Sequence, residues 1–478
     1  MGRVPLSAQG GEGTELPGRG RIVEPPPPSQ VRAPSPAVPS SPQSAWRGLL
    51  ALTLLAALVR LAGLGFESYW FDEIWAVKQS RAPLDAVLQS LGTEDVHPPL
   101  WPLLLHVWIA WFGEGEIAVR SLSALLGAVA VPLFGAALGR LEGPRVAALG
   151  AALLAVHPYA VEFSQEARAY ALLLSLSAGL LYVTVRMDAP TDAREAASAA
   201  RRAAWPAVWA ALATLLLYTH VFGALVDLAL GALLLARRRW MVVPAGAAAL
   251  ALYAPWVPTQ LAQIGRVQEG FWIAPLTWTD PVRWLWHWSG YSVVVLLLTV
   301  PLVVLGVRAT GAPLRRIAAA FTLCLVVLPG LVSLVAEPFF QPKYAITMLL
   351  VLVGAAAVTA AKVPRLAAVG TSALAIFTAL SVHVHRGKEQ YRELADVARA
   401  DHRAGRALLT EPGMAPYVSY YLSEVPLGTV IPDAPTELTL LLVHPSGPSA
   451  LERALAARCA ATGEVALVLA RAARFSCR

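Results

Sequence analysis

Charge is the scarcest property of this sequence. Only 14% of its 478 residues are Asp, Glu, Lys or Arg, against about 25% in ordinary soluble domains. With 56% hydrophobic residues and a mean hydropathy of +0.57, the chain is not an ordinary water-soluble globule. Cysteine is nearly missing as well. Cys324, Cys459 and Cys477 are the whole set, and their spacing excludes a zinc-ribbon or finger site. Cys324 lies in an apolar run and reads as a core residue, whereas Cys459 and Cys477 pair only if the tail lies in an oxidising compartment. There is no Gly-rich loop that would cradle a nucleotide phosphate, so a soluble nucleotide-binding domain is not expected. There is no cleavable signal peptide. The first apolar run begins near Leu49, too deep for one, and reads as a signal-anchor helix. Repeats of soluble-repeat period and the paired interrupted helices of inverted-repeat transporters are also missing.

What is present is a series of apolar runs near 20 residues long, the length that crosses a bilayer as a helix. They lie at 49–66, 117–139, 146–163, 166–186, 203–219, 221–236, 241–258, 285–306, 315–336, 342–361 and 364–383. A twelfth run, 97–112, is shorter. As a helix it spans about 24 Å, less than the roughly 30 Å hydrocarbon core. It opens with two prolines and carries Trp101, His106, Trp108 and Trp111, an interfacial composition. If this run does not cross, the loops placed in the cytoplasm carry fourteen Lys and Arg, including Arg140, Arg237, Arg316 and Lys362. The outer loops after it carry four: Arg168, Arg266, Arg283 and Lys343. The positive-inside rule therefore favours a non-crossing run and about eleven transmembrane helices. The same clustering between apolar runs explains the net charge of +7 without nucleic acid.

Three regions follow from this. Residues 1–45, rich in Pro, Ser and Gly, are expected to be a disordered cytoplasmic tail. Residues 46–385 form the membrane domain, with 67–116 as a first external segment of interfacial helices. Residues 386–478 alternate a polar helical stretch (Tyr391–Arg403), strand-like runs (Ala407–Thr410, Leu438–Val443, Val465–Leu469) and a helix-like Leu451–Ala461. They are expected to form a small external α/β appendage.

On this topology the outer face collects the chain's unusual polar residues. Asp72 and Glu73 follow the first helix. Glu94, Asp95 and His97 precede the short run, and Arg120 opens the next helix. His157, Glu162, Gln165, Glu166, Arg168 and Tyr170 span one turn. His220 marks another, and Gln341, Lys343 and Tyr344 a third. Arg60 lies about a turn and a half inside the outer end of helix one. Ionisable groups at membrane depth are costly and usually face a polar cavity or a partner. Asp72-Glu73 reads either as an acidic helix N-terminus or as a general base with a neighbour that binds substrate or a metal. His97-Pro98-Pro99 is a helix start or a phosphate or sugar contact. Arg120 and Arg168 are interface flanks or phosphate forks. Lys343-Tyr344 is a snorkelling anchor or part of the site. His157 and His220 read as structural. The aromatic stretch Trp272–Trp288 reads as an interfacial belt, of which Phe271 to Pro275 can instead line a sugar or prenyl cleft.

Taken in order, several stretches resemble the bacterial branch of the dolichyl-phosphate-mannose–protein mannosyltransferase-like glycosyltransferases, which have the GT-C fold. The lipid A aminoarabinose transferases are more distant relatives. The resemblance is carried by Trp70-Phe71-Asp72-Glu73, His97-Pro98-Pro99-Leu100, Glu116 to Arg120 with Ser123-Ala124-Leu125, Ser164 to Tyr170, Phe271-Trp272-Ile273 with Pro275, and Pro342-Lys343-Tyr344. It implies an inverting transfer of sugar from a polyprenyl-phosphate donor to a protein, lipid A or glycan acceptor, on the periplasmic face of a bacterial inner membrane. Asp72 inherits the role of base, and Glu73 that of substrate or acceptor positioning. His97, Arg120, Arg168 and Lys343 become candidates for the lipid phosphate. Glu166 lies where relatives often carry an acid, and Tyr170, Tyr344 and Arg60 complete the expected substrate site. Some relatives have Lys before Pro-Pro and Arg in place of Lys343. No cofactor is required by the sequence. A divalent metal is the one the resemblance admits, without a clear ligand set. A transporter or flippase for lipid-linked sugars and a non-catalytic membrane scaffold are the alternative readings.

Overall fold

The computed structural model describes residues 42–189, 199–269, 273–381, 387–433, 436–444 and 447–477. Most of the Pro-rich N-terminal tail, Arg194, and Phe271-Trp272 lie outside these residues. Helix α1 (Pro42–Leu61) is followed by a layer of three short helices, α2 (Phe71–Ser80), α3 (Leu84–Thr93) and α4 (Leu100–Phe112). The bundle continues through α5 (Glu116–Glu142), α6 (Pro144–Ala155), α7 (Pro158–Glu162), α8 (Tyr170–Asp188), α9 (Ala199–Thr219), α10 (Val221–Ala236), α11 (Val242–Tyr253) and α12 (Val257–Glu269). Then come α13 (Asp280–Trp288), α14 (Val293–Ala309), α15 (Ala312–Thr322), α16 (Leu328–Val335), α17 (Met348–Lys362) and α18 (Pro364–Ser381). Five π-helical residues, Leu323–Val327, join α15 to α16.

Every expected run contains helix, but the boundaries differ where the chain has to turn. Among the described residues four helical stretches are long and apolar enough to cross a membrane: Glu116–Glu142, Tyr170–Asp188, Val242–Val267 and Ala312–Val335. A fifth is added if α13 and α14 count as one span bent by 100°. The expected run 285–306 is broken at that bend. Gly290 there has φ +70°, and a Cβ would stand 2.5 Å from Pro158 Cγ, so chain reversal and close packing both require glycine. Apolar side chains such as Leu54, Leu58, Leu250, Leu297 and Val335 stand exposed on helix faces. A water-soluble surface would not carry such a belt, but lipid contact accounts for it.

The bundle core centres on α5 and α8, with Phe134, Leu138, Leu154, Leu173 and Leu181 fully or nearly fully buried. A second core joins the α2–α4 layer to the C-terminal region. Ile74, Val77, Trp101 and Leu105 pack in one cluster with Tyr391, Leu394, Leu408 and Val418. The C-terminal region has α19 (Tyr391–Arg403), β1 (Ala407–Thr410), α20 (Ala415–Tyr421), β2 (Leu427–Gly428), β3 (Thr436–Val443), α21 (Ala450–Arg458), β4 (Cys459–Leu467) and β5 (Ala470–Cys477). Its sheet has the order β2-β1-β3-β5-β4, with β1 parallel to β2 and β3 and the remaining pairs antiparallel. Alternation along β3 sends Leu441 and Val443 into the core shared with the α2–α4 layer, while Leu438, Leu440 and Leu442 face Leu455 and Phe475 on the other side. The appendage is thus built onto the α2–α4 layer. Cys459 and Cys477 face each other across β4 and β5 and are bonded.

Candidate active site

The Asp72-Glu73 pair opens α2, and its two carboxylates point to different tasks. Neighbours on a helix lie about 100° apart, so they cannot share a face. Glu73 turns inward and is fully buried. Its Oε1 accepts from Arg120 Nε at 2.8 Å and from the Ala167 backbone N–H at 2.8 Å. Its Oε2 accepts from Arg120 Nη2 at 2.6 Å and from the Trp70 N–H at 3.4 Å. Burial works against the charge, but the Arg120 guanidinium, its hydrogen bonds and Lys388 hold the carboxyl below the usual range.

Arg120 is equally committed. Its remaining N–H groups donate to the carbonyls of Leu64 and Glu67, each at 2.7 Å, and of Ser68 at 3.0 Å. All five guanidinium donors are therefore used. In this arrangement Arg120, expected at the lipid phosphate, ties residues 64–68 to the start of α5. Glu73, expected to position substrate, likewise pins α2 to the segment before α8. Arg60, expected in the substrate site, has a comparable setting. It is fully buried and donates to the carbonyls of Ala56, Leu154 and Ala155 and to Ser164 Oγ. It thus caps the C-terminal end of α6. Gln165 returns the favour by donating to the carbonyls of Arg60 and Ala62 at the end of α1.

Asp72 faces the other way, with its side chain 27% exposed and Oδ2 3.5 Å from Arg168 Nη2. Arg168 Nη2 also lies 3.2 Å from His97 Nε2, and His97 Nδ1 lies 2.8 Å from Asp95 Oδ1. With the proton on Nδ1 donated to Asp95, Nε2 accepts from Arg168. The result is a relay of contacts from Asp95 through His97 and Arg168 to Asp72. Burial opposes the charge on Arg168, but Asp72, Tyr170 and Asp95 raise its pKa further. Burial also opposes the charge on Asp95, whereas bonds from His97 and Gln79 bring it down to about 2. Beside the relay is a small open cleft lined by Gln79, Asp95, His97, Trp101, Arg168, Tyr170 and His220.

The other expected residues gather next to it. Tyr170 and Tyr344 stack with centroids 6.4 Å apart, and the His220 ring lies 5.0 Å from that of Tyr344. Lys343 Nζ stands 5.6, 5.8 and 5.9 Å from the ring centres of Trp70, Tyr170 and Tyr344, within cation–π range. Glu166 is buried and pairs through Oε1 with Lys388 Nζ at 2.8 Å, and Lys388 also stands 5.8 Å from the Trp70 ring centre. The sequence reading missed Lys388. The available signal was weak: it is a cation just after the last apolar run, in a segment that holds several others.

Among the described residues no group of three or more His, Cys, Asp or Glu side chains is arranged to hold a metal ion. Asp72 faces Arg168 and Glu166 faces Lys388, so the carboxylates here are matched to cations. Among the described residues this donor set does not fit a metal.

The chain has the GT-C fold, that of the solved membrane glycosyltransferases it is similar to. It is an integral membrane protein. The solved structures it is similar to include ArnT from Cupriavidus metallidurans, a lipid A aminoarabinose transferase. For its apo state the TM-score is 0.61 at 15% identity, covering 91% of this chain and 98% of that one. For ArnT bound to undecaprenyl phosphate it is 0.60, with the same identity and coverage. The oligosaccharyltransferase of Archaeoglobus fulgidus, in complex with Zn and sulfate, gives 0.50 at 10% identity over 80% of this chain and 62% of that one. No protein-family model matches the chain, nor does any curated protein.

Proposed function

We propose that the protein is a membrane glycosyltransferase that moves a sugar from a polyprenyl-phosphate donor to an acceptor on the outer face of a bacterial inner membrane. The observation that carries this reading is Asp72, partly exposed and held by Arg168 next to a cationic, aromatic-lined cleft, in a fold shared over nine-tenths of the chain with a transferase whose structure holds undecaprenyl phosphate. The eleven crossings and the outward orientation belong to the same proposal, on the strength of the loop charges. Nothing in the fold or the likenesses favours a transporter or a scaffold.

The chemistry is a single displacement. An acceptor hydroxyl or amine attacks the anomeric carbon from the face opposite the phosphate, and its proton passes to the Asp72 carboxylate. The bond from the anomeric carbon to the phosphate oxygen breaks, and its electron pair leaves on that oxygen. Configuration is therefore inverted. Arg168 and Lys343 are placed to stabilise the developing phosphate charge, while Tyr170 and Tyr344 provide an aromatic wall. The prenyl chain stays in the bilayer throughout, so only the head group enters the cleft.

The test is transfer of labelled sugar from a polyprenyl-phosphate donor by purified protein. Asp72→Asn is expected to lower kcat by roughly 10²–10⁴-fold, the usual contribution of a general base. Full activity in that variant would remove Asp72 as the base. A wild-type protein inert with every such donor would reject the reaction itself.

A further inference from the structure

The most unusual feature near the site is a polar cage around the Trp70 indole. Two ammonium groups, Lys343 and Lys388, lie within cation–π distance of its ring. Its Nε1–H is buried without a hydrogen-bond acceptor, and Glu166 Oε2 is buried without a donor. Glu166 itself is 4% exposed, and its other oxygen is taken by Lys388. Native structures rarely leave buried polar atoms unpaired. Here a donor and an acceptor are left so in one place, beside two cations.

Lys388 enters this cage from the C-terminal side. It follows the last bundle helix and precedes residues fixed at both ends. The Glu389 carbonyl accepts from Ser68 Oγ in the first external segment at 3.1 Å, and the Glu389 carboxylate contacts His444 at the end of β3. Gln390 exchanges bonds with Val468, its N–H donating to the Val468 carbonyl at 3.3 Å and its Oε1 accepting from the Val468 N–H at 2.8 Å. The appendage therefore holds the segment that carries Lys388, and the segment is anchored where the Asp72 helix begins.

We propose that Lys388 binds the phosphate of the lipid carrier together with Lys343, and that Glu166 holds Lys388 in place until the phosphate arrives. This rests on the glycosyltransferase reading above. It gives the appendage a part in the site, because the appendage sets the position of one of the cations. When the phosphate enters, Lys388 exchanges one of its contacts with Glu166 for the phosphate oxygens. The Trp70 N–H provides a neutral donor on the same side. Glu166 competes with the phosphate for one ammonium group, so the two changes at this pair have opposite signs. Loss of the Lys388 charge weakens phosphate binding, and loss of the Glu166 charge strengthens it. A purely structural ion pair would weaken binding in both cases, because either change leaves a buried charge alone.

The experiment is equilibrium binding of undecaprenyl phosphate, without acceptor, to full-length protein in lipid nanodiscs. Lys388→Met is expected to raise Kd about tenfold, Lys388→Arg to recover most of that loss, and Glu166→Gln to lower Kd severalfold. Lys388→Met within twofold of wild type would overturn the proposal. So would Lys388→Arg as weak as Lys388→Met, or weakened binding in Glu166→Gln. Wild-type protein that does not bind the lipid phosphate at all would instead reject the donor class, and with it the reading on which the proposal stands.

Discussion

Glu73 and Arg120 stand at the centre of the residue-scale argument. Each satisfies the other, and together they accept or donate every hydrogen bond the pair can offer. Removing one partner leaves the other charged and buried, which costs about 3–5 kcal/mol. Glu73→Gln and Arg120→Met are each expected to lower the melting temperature in detergent by several degrees, and the double variant by less than the sum of the two. Additive losses would show that the pair does not act as a unit. The same carboxyl carries a pH dependence. Glu73 and Asp95 both titrate lower in the folded protein than unfolded. Their contribution is therefore complete above about pH 4–5 and is lost as pH falls, for Asp95 through about 2. Thermal melts between pH 6 and 3 should show stability falling only below about pH 4.5, with a shallower fall in Asp95→Asn. The carboxylate pair was legible in the sequence because two adjacent acids at a membrane edge are rare and costly. Which of them turns inward was not legible from the residues. Helix geometry says only that they diverge, and the inward one is decided by Arg120, 47 positions away in the chain.

At the scale of elements, the site depends on how α1, α5, α6 and the turn before α8 close on one another. Arg60 and Gln165 cap each other's helices, and Gly127 lets that junction form. A Cβ on Gly127 would stand 2.1 Å from Ser164 Oγ and 3.2 Å from Arg60 Nε. Gly127→Ala is therefore expected to displace Ser164, loosen the Arg60 cap and lower the melting temperature. Arg60→Met takes the side-chain donor from the Ala155 carbonyl and leaves the Leu154 carbonyl only its backbone partners, at about 1–3 kcal/mol for an unsatisfied buried acceptor. Neither change touches the cleft, so undecaprenyl phosphate affinity should stay near the wild-type value. A tenfold loss of affinity in Arg60→Met, with stability unchanged, would restore Arg60 to the substrate site. An arginine inside an apolar helix is a sound pointer to a polar partner, but sequence does not tell a ligand from a helix end. The helices themselves were legible from their apolar runs. Their breaks were not. Gly290 and the π-helical Leu323–Val327 are set by packing partners, which a run of hydropathy does not record.

For the whole molecule, the outstanding property is sidedness, and the appendage reports it. Tyr391–Arg403 and Ala407–Thr410 were readable as helix and strand because a polar helical stretch and a short apolar run differ in period. The edge strand Cys459–Leu467 was only partly readable, at Val465–Leu467, since much of it is exposed and carries little apolar alternation, and its partner β5 was not read. The Cys459–Cys477 bond closes these two strands, and such bonds persist only where the compartment is oxidising. Fourteen cations in the loops read as cytoplasmic, against four in the outer loops between the short run and the appendage, favour an appendage outside, and the bond points the same way. The two arguments are independent, one from loop charge and one from redox chemistry, so a single measurement can set them against each other. Protein taken from native membranes under thiol-blocking conditions and denatured without reductant should alkylate one cysteine, Cys324; with reductant it should alkylate three. Cys459→Ser is expected to lose about 3 kcal/mol of stability, the effect of opening a loop of this length. Three reactive thiols without reductant would place the appendage in the cytoplasm. Because Ser68 and Glu116 bind the appendage directly, the Asp72 face would have to turn inward with it. The loop-charge argument and the outward site would then fall together.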